Sequence, residues 1–176
     1  MLISKKMNDA LNTQVGNEFG ASLQYVAIGC YFGSENLPEL SAHFLRQAEE
    51  ERMHAMKLAQ FVVDAGGHVA IPAVPAPRDT FKTAEEAVQL SVNWEVTVTK
   101  QINGLVDLAI AESDHISRNF LQWFVMEQLE EVSSMEQLLS IVRRAGESGL
   151  LFVEEYLGRR GAPKVASAGA GGGEAE

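Results

Sequence analysis

A chain of 176 residues, 46% hydrophobic and 22% charged, is long enough for one domain with a sizeable core. Its formal net charge of −10 lacks the basic footprint of a nucleic-acid binder, and its single cysteine, Cys30, excludes an intrachain disulfide or a cysteine-based zinc or iron–sulfur site built from one chain. No apolar run approaches the roughly 18 residues of a membrane helix, and Met1-Leu-Ile-Ser-Lys-Lys6 lacks the apolar stretch of a secretory signal, so no membrane partner and a cytoplasmic location are expected.

Helical spacing without proline predicts a first helix from about Met7 to Gly33. Ser34-Glu-Asn-Leu-Pro38 supplies a turn, with Asn36 placed to cap a second helix and Pro38 early within it. That helix is expected to reach about Ala65 and to stop at Gly66-Gly67. From His68 to Asp79, Pro72, Pro75 and Pro77 predict an extended connection. Thr83-x-x-Glu86 is a capping box that opens a third helix running to about Glu112. Ser113-Asp114 can cap a fourth, ending near Ala145-Gly146, and Leu150 to Leu157 reads as a short amphipathic fifth. The long helices come to about 27–32 residues, roughly 40–48 Å each. Links that are short, long and short predict an all-α four-helix bundle with one long crossover, its second and third helices parallel. The expected domain spans residues 1–157, followed by a flexible Gly/Ala-rich tail over 158–176.

Steps of three and four mark the core-facing stripe of each helix. The stripes run Leu11, Val15, Glu18, Ser22, Tyr25; then Phe44, Ala48, Glu51, Ala55, Leu58; then Val88, Val92, Glu95, Thr99, Ile102; then Phe120, Phe124, Gln128, Glu131, Met135. Each is interrupted by a glutamate where an apolar residue belongs. All four glutamates fall within about 3 Å of a helix midpoint along the axis, so equal-length helices bring them to one level. His54, one turn beyond Glu51, joins them. No lysine or arginine stripe faces these acids, and divalent cations would relieve the cost of burying them. Oxygen-rich ligation with one imidazole suits iron or manganese. A lone Glu-x-x-His is common on solvated faces; four acids on four stripes at one height carry the argument. Tyr25 and Trp123 taken singly read as core, and His43, His68 and His115, without partners in register, read as surface.

Four segments then stand out: Asn17-Glu18-Phe19 with Gln24-Tyr25; Glu50-Glu51-Arg52-Met53-His54-Ala55-Met56; Glu95; and Gln122-Trp123-Phe124-Val125-Met126-Glu127-Gln128-Leu129-Glu130-Glu131. With them, residues 1 to about 157 resemble the non-haem ferritins of prokaryotes, and the Gly-rich tail is similar to the actinobacterial branch. The resemblance implies a homo-oligomeric shell of 24 subunits storing ferric mineral, with a ferroxidase centre in each subunit that uses O2 or H2O2. It implies Glu18, Glu51 and His54 on a first iron and Glu51, Glu95 and Glu131 on a second, with Glu51 bridging. Gln128 would sit beside the centre, Tyr25 would hydrogen-bond near it and supply an electron, and Glu50, Glu127 and Glu130 would form a third iron site. An external electron donor would serve iron release. Bacterioferritins carry a second Glu-x-x-His on the fourth helix and a haem-ligating methionine after the bridging glutamate. This chain has Gln128-x-x-Glu131 and Arg52 there, so no haem is expected.

Overall fold

The computed structural model describes residues 1–161. Four long helices, α1 (Lys5–Ser34), α2 (Pro38–Asp64), α3 (Ala84–Ala111) and α4 (His115–Ala145), form the bundle, and a 3-10 turn (Glu147–Gly149) leads into α5 (Leu150–Gly161). No strand occurs among the described residues. α5 extends past the expected end at Leu157, and residues 162–176 of the expected tail lie outside the described residues.

Contacts between the helices fix their directions. The Ser22 hydroxyl donates to the Ala48 carbonyl at 2.7 Å, and Gly29 lies against Ser41 and Leu45, so α1 and α2 run antiparallel. Tyr25 meets Glu95, and Gln14 meets Gln101, so α3 is antiparallel to α1. α3 is therefore parallel to α2, as one long crossover requires. α4 runs against α3, with Ser91 on Met135 and Gln128 on Glu95, and against α2, with Gln47 on Glu131 and Phe61 stacked on Phe120.

Local capping starts three of the helices. The side chains of Ser4, Thr83 and Asp114 accept from the backbone N–H groups of Met7, Glu86 and Ser117. The capping box forms by half, because the Glu86 carboxylate turns to the Lys82 N–H and to Arg78 rather than to the Thr83 N–H. Asn36 does not cap α2. It closes the preceding turn at φ 60, a left-handed conformation that asparagine tolerates, and Leu37 takes the cap position with no side-chain bond. The open N–H groups are satisfied from α5 instead: the Glu154 carboxylate accepts from Glu39 N at 2.7 Å and Leu40 N at 2.8 Å.

The crossover, residues 65–83, runs beside α1, where three amide side chains stand in for a partner strand. Asn8 and Asn12 donate to the His68 carbonyl and accept from His68 N and Ala70 N; Gln24 exchanges two bonds with the backbone of Arg78. These bonds satisfy polar backbone that a helix would otherwise pair internally. Gly16 permits the close approach, since a Cβ there would collide with Pro72.

The core is split. One apolar cluster gathers around Phe32, Phe44, Val88 and Leu138, and the other around Leu11, Leu58, Ile102 and Leu121. On α1 the division falls between Val15 and Tyr25, on α2 between Ala48 and Ala55, on α3 between Val92 and Val98, and on α4 between Phe124 and Met135. A polar layer fills the gap.

Candidate metal centre

Helical pitch puts Glu18, Glu51, Glu95 and Glu131 in that layer. They are 1%, 0%, 0% and 6% exposed, and His54 is 4% exposed, so bulk water cannot solvate their charges. Among the described residues no lysine or arginine is buried with them. The Glu18 Oε2 and Glu51 Oε1 atoms accept from no N–H or hydroxyl group, and the two carboxyls lie close enough to share a proton. Ligand atoms of Glu18, Glu51 and His54 lie within 4.8 Å of one another, and so do those of His54, Glu127 and Glu131. A cation between such atoms would supply the positive charge that the protein omits.

Proton affinities report the same imbalance. Burial is the first cause for all four acids. It holds Glu18 and Glu51 well above the usual carboxylate range, raises Glu95, and pushes Glu131 to about 8. Neighbouring charge adds to this: Glu51 acts on Glu18, Glu95 and Glu131 act on Glu51, and Glu95 acts on Glu131. Tyr25 is also held well above its ordinary value by burial and then by Glu95, which keeps its phenol protonated.

The surrounding donors are specific. The Tyr25 hydroxyl donates to Glu95 Oε1, and Gln128 Nε2 approaches Glu95 Oε2 at 3.4 Å, while Gln128 Oε1 lies 2.9 Å from the Thr99 hydroxyl. His54 Nδ1 is 3.2 Å from Glu51 Oε2, and its ring stands edge-on to Trp123 and Phe124. Two further contacts have no counterpart in the sequence expectations. Gln14 Nε2 donates to Glu18 Oε1 and Gln47 Nε2 to Glu131 Oε2, both at 2.9 Å. Gln14 stands one turn before Glu18, and Gln47 one turn before Glu51, and that spacing was the available signal.

The remaining sequence-predicted residues divide. Glu127 is half-buried and enters the second cluster with His54 and Glu131, whereas Glu95 belongs to neither compact cluster. Glu50 is half-buried and raised by burial, with Glu127 adding to the effect. Glu130 is exposed and joins neither cluster, because its position on α4 turns it away from the layer. Trp123, read as core, is 39% exposed and carries Lys57 Nζ 3.4 Å above its ring. His43, read as surface, is half-buried: its ring meets Phe44 edge-on, its Nε2 has no partner, and burial followed by Arg46 lowers it to about 4. His68 and His115 are exposed. No helix among the described residues is long and apolar enough to cross a membrane.

The chain and its fold are similar to known proteins. The ferritin-like domain profile matches residues 8–145. The chain is 40% identical over 174 residues to Ferritin BfrB of Mycolicibacterium smegmatis, covering 97% of this chain and 96% of the relative. It is 33% identical over 161 residues to a bacterial non-heme ferritin of Staphylococcus aureus, covering 90% and 97%. An open pore ferritin of Archaeoglobus fulgidus superposes with a TM-score of 0.86 at 39% identity, over 89% of this chain and 96% of that one. A shared fold with this level of identity along almost the whole chain leaves one conclusion: the chain belongs to the ferritin family.

Proposed function

We propose that this chain is the subunit of an iron-storage ferritin, cytoplasmic and assembled as a shell of 24 copies, that oxidises Fe²⁺ to Fe³⁺ within each bundle. The observation that carries the reading is the layer of four buried glutamates and one histidine, with no lysine or arginine buried beside them among the described residues. Iron is the substrate. Glu18, Glu51 and His54 would receive one Fe²⁺, and Glu51, Glu95 and Glu131 a second, with Glu51 shared. Glu127, beside His54 and Glu131, would hold iron in transit, with Glu50 next to it.

The protein's part is to bind, orient and neutralise. Binding displaces the protons that burial keeps on the glutamates, so loading is coupled to proton release. Two ions at adjacent positions let one oxidant take an electron from each: O2 then leaves as H2O2, or H2O2 as water. Tyr25, whose hydroxyl donates to Glu95, would supply one electron and one proton in place of the second iron when only one Fe²⁺ is bound, so that the oxidant still receives two electrons. The ferric product moves to the shell interior as mineral, and an external reductant would return it as Fe²⁺.

Stopped-flow mixing of anaerobic Fe²⁺ with aerated protein tests this. A fast oxidation phase saturating at two Fe²⁺ per chain is expected, absent from His54→Ala and Glu95→Ala. A wild-type protein that oxidised iron no faster than buffer would be a structural shell subunit only.

A further inference from the structure

We propose that Gln14 and Gln47 are positioning residues that set which carboxylates of the centre serve one metal ion and which is shared; this rests on the two-ion reading above. Glu18 and Glu131 each have one oxygen held by a buried amide, Gln14 on Oε1 of the first and Gln47 on Oε2 of the second, both at 2.9 Å. These glutamines are 2% and 8% exposed. An amide N–H engages one lone pair of the oxygen it meets and fixes the rotation of the carboxylate. The opposite oxygen is then the more basic donor left for metal. In Glu18 that atom is Oε2, buried and met by no amide or hydroxyl. Glu95 is held at both oxygens, by Tyr25 and by Gln128. Glu51 differs from all three. No amide or phenol reaches it among the described residues: Oε2 meets His54 Nδ1, and the other group against it is the Glu18 carboxyl. With no amide or phenol fixing its rotation, Glu51 is the acid left able to turn an oxygen to each of two ions.

The orientation of Gln14 is itself fixed. Its Oε1 accepts from Asn17 Nδ2 at 3.0 Å, and its Nε2 lies 3.3 Å from Gln101 Oε1. With the carbonyl oxygen turned to Asn17, the amide N–H is what faces Glu18; a flipped amide would set oxygen against carboxylate. A leucine would fill this buried volume without the cost of desolvating an amide, so the bond to Glu18 is what accounts for the glutamine.

The test is titration of the metal-free full chain with Co²⁺ under nitrogen, followed by calorimetry and by ligand-field absorption, which reports coordination number without turnover. Gln14→Met removes the amide at nearly constant volume. Affinity at the Glu18–Glu51–His54 position should fall roughly 10–100-fold, as for other supporting residues around metal ligands. Its absorption bands should weaken as Glu18 swings to chelate through both oxygens, while the other ion is unaffected. Gln47→Met should do the same at the Glu131 position and spare the first ion. Gln101→Ala, at a half-buried site that reaches Gln14, should reproduce the Gln14 effect at smaller amplitude and serves if the core variants misfold. Unchanged affinity and bands, or equal losses at both ions from either variant, would overturn the positioning role. A wild-type chain that failed to bind two Co²⁺ would instead overturn the two-ion reading beneath it.

Discussion

Glu131 shows at the scale of one residue what a missing cation costs. Its folded pKa of about 8 lies above the ordinary 4.5, so the folded state binds the proton more tightly than the unfolded chain does. The stability this contributes is complete below about pH 4.5 and is lost as pH rises towards 8. Glu18, Glu51 and Glu95 are raised as well and act in the same direction. Metal-free protein should therefore melt lower at pH 8 than at pH 5, by up to roughly 1.4 kcal/mol per pH unit for each group titrating. Glu131→Gln keeps an oxygen for Gln47 and removes one charge, so it should flatten this slope and melt at or above wild type near pH 8. Zn²⁺ should flatten the wild-type slope by supplying the charge directly. All scans need one heating rate, since shell melting can be irreversible. A metal-free protein that grew more stable across this interval would mean that the acids have favourable partners in the fold.

At the scale of elements, α5 does more than append to the bundle. The Glu154 carboxylate satisfies two N–H groups at the start of α2, where the chain provides no local cap, and its negative charge faces the positive end of that helix. Glu154→Ala should destabilise by about 1–2 kcal/mol, the usual magnitude for a lost cap, and Glu154→Gln by less because one acceptor oxygen remains. Denaturant midpoints would measure both; midpoints equal to wild type would show that water serves these groups as well. On α4, one turn separates Glu127, in the cluster with His54 and Glu131, from Glu130, which is exposed. Both variants Glu127→Ala and Glu130→Ala should spare the first oxidation phase. Only the first should slow recovery of the centre between successive Fe²⁺ additions. Equal recovery in the two would remove Glu127 from the path of iron.

For the whole molecule, the candidate centre lies inside one bundle, so the proposed assembly would rest on other surfaces. His54→Ala and Glu95→Ala should abolish fast oxidation yet still elute as large shells in size exclusion; dimers would show that the centre is structural too. The purified protein should also lack haem. The residue after Glu51 is Arg52, whose guanidinium is turned outward to Glu49, and a guanidinium offers no thioether sulfur. A strong Soret band would contradict this.

Helix pitch makes much of this molecule legible in its sequence. A regular helix converts residue number into height and angle, so equal lengths and steps of three and four place Glu18, Glu51, Glu95 and Glu131 at one level of a bundle with a long crossover. Local caps at Thr83 and Asp114 were readable for the same reason, since donor and acceptor lie within one turn. Tertiary structure decided the rest. The Asn36 cap failed because α2 takes its acceptor from Glu154, more than a hundred residues away in sequence. The path of the crossover depends on Asn8, Asn12 and Gln24, whose amides read as ordinary polar positions until a second segment lies against them. The burial of His43, the exposure of Trp123 and the grip of Gln14 and Gln47 on their carboxylates belong to the same class. Periodicity states where a side chain points, but which donor meets which acceptor, and whether water reaches them, is fixed only when separate helices come into contact.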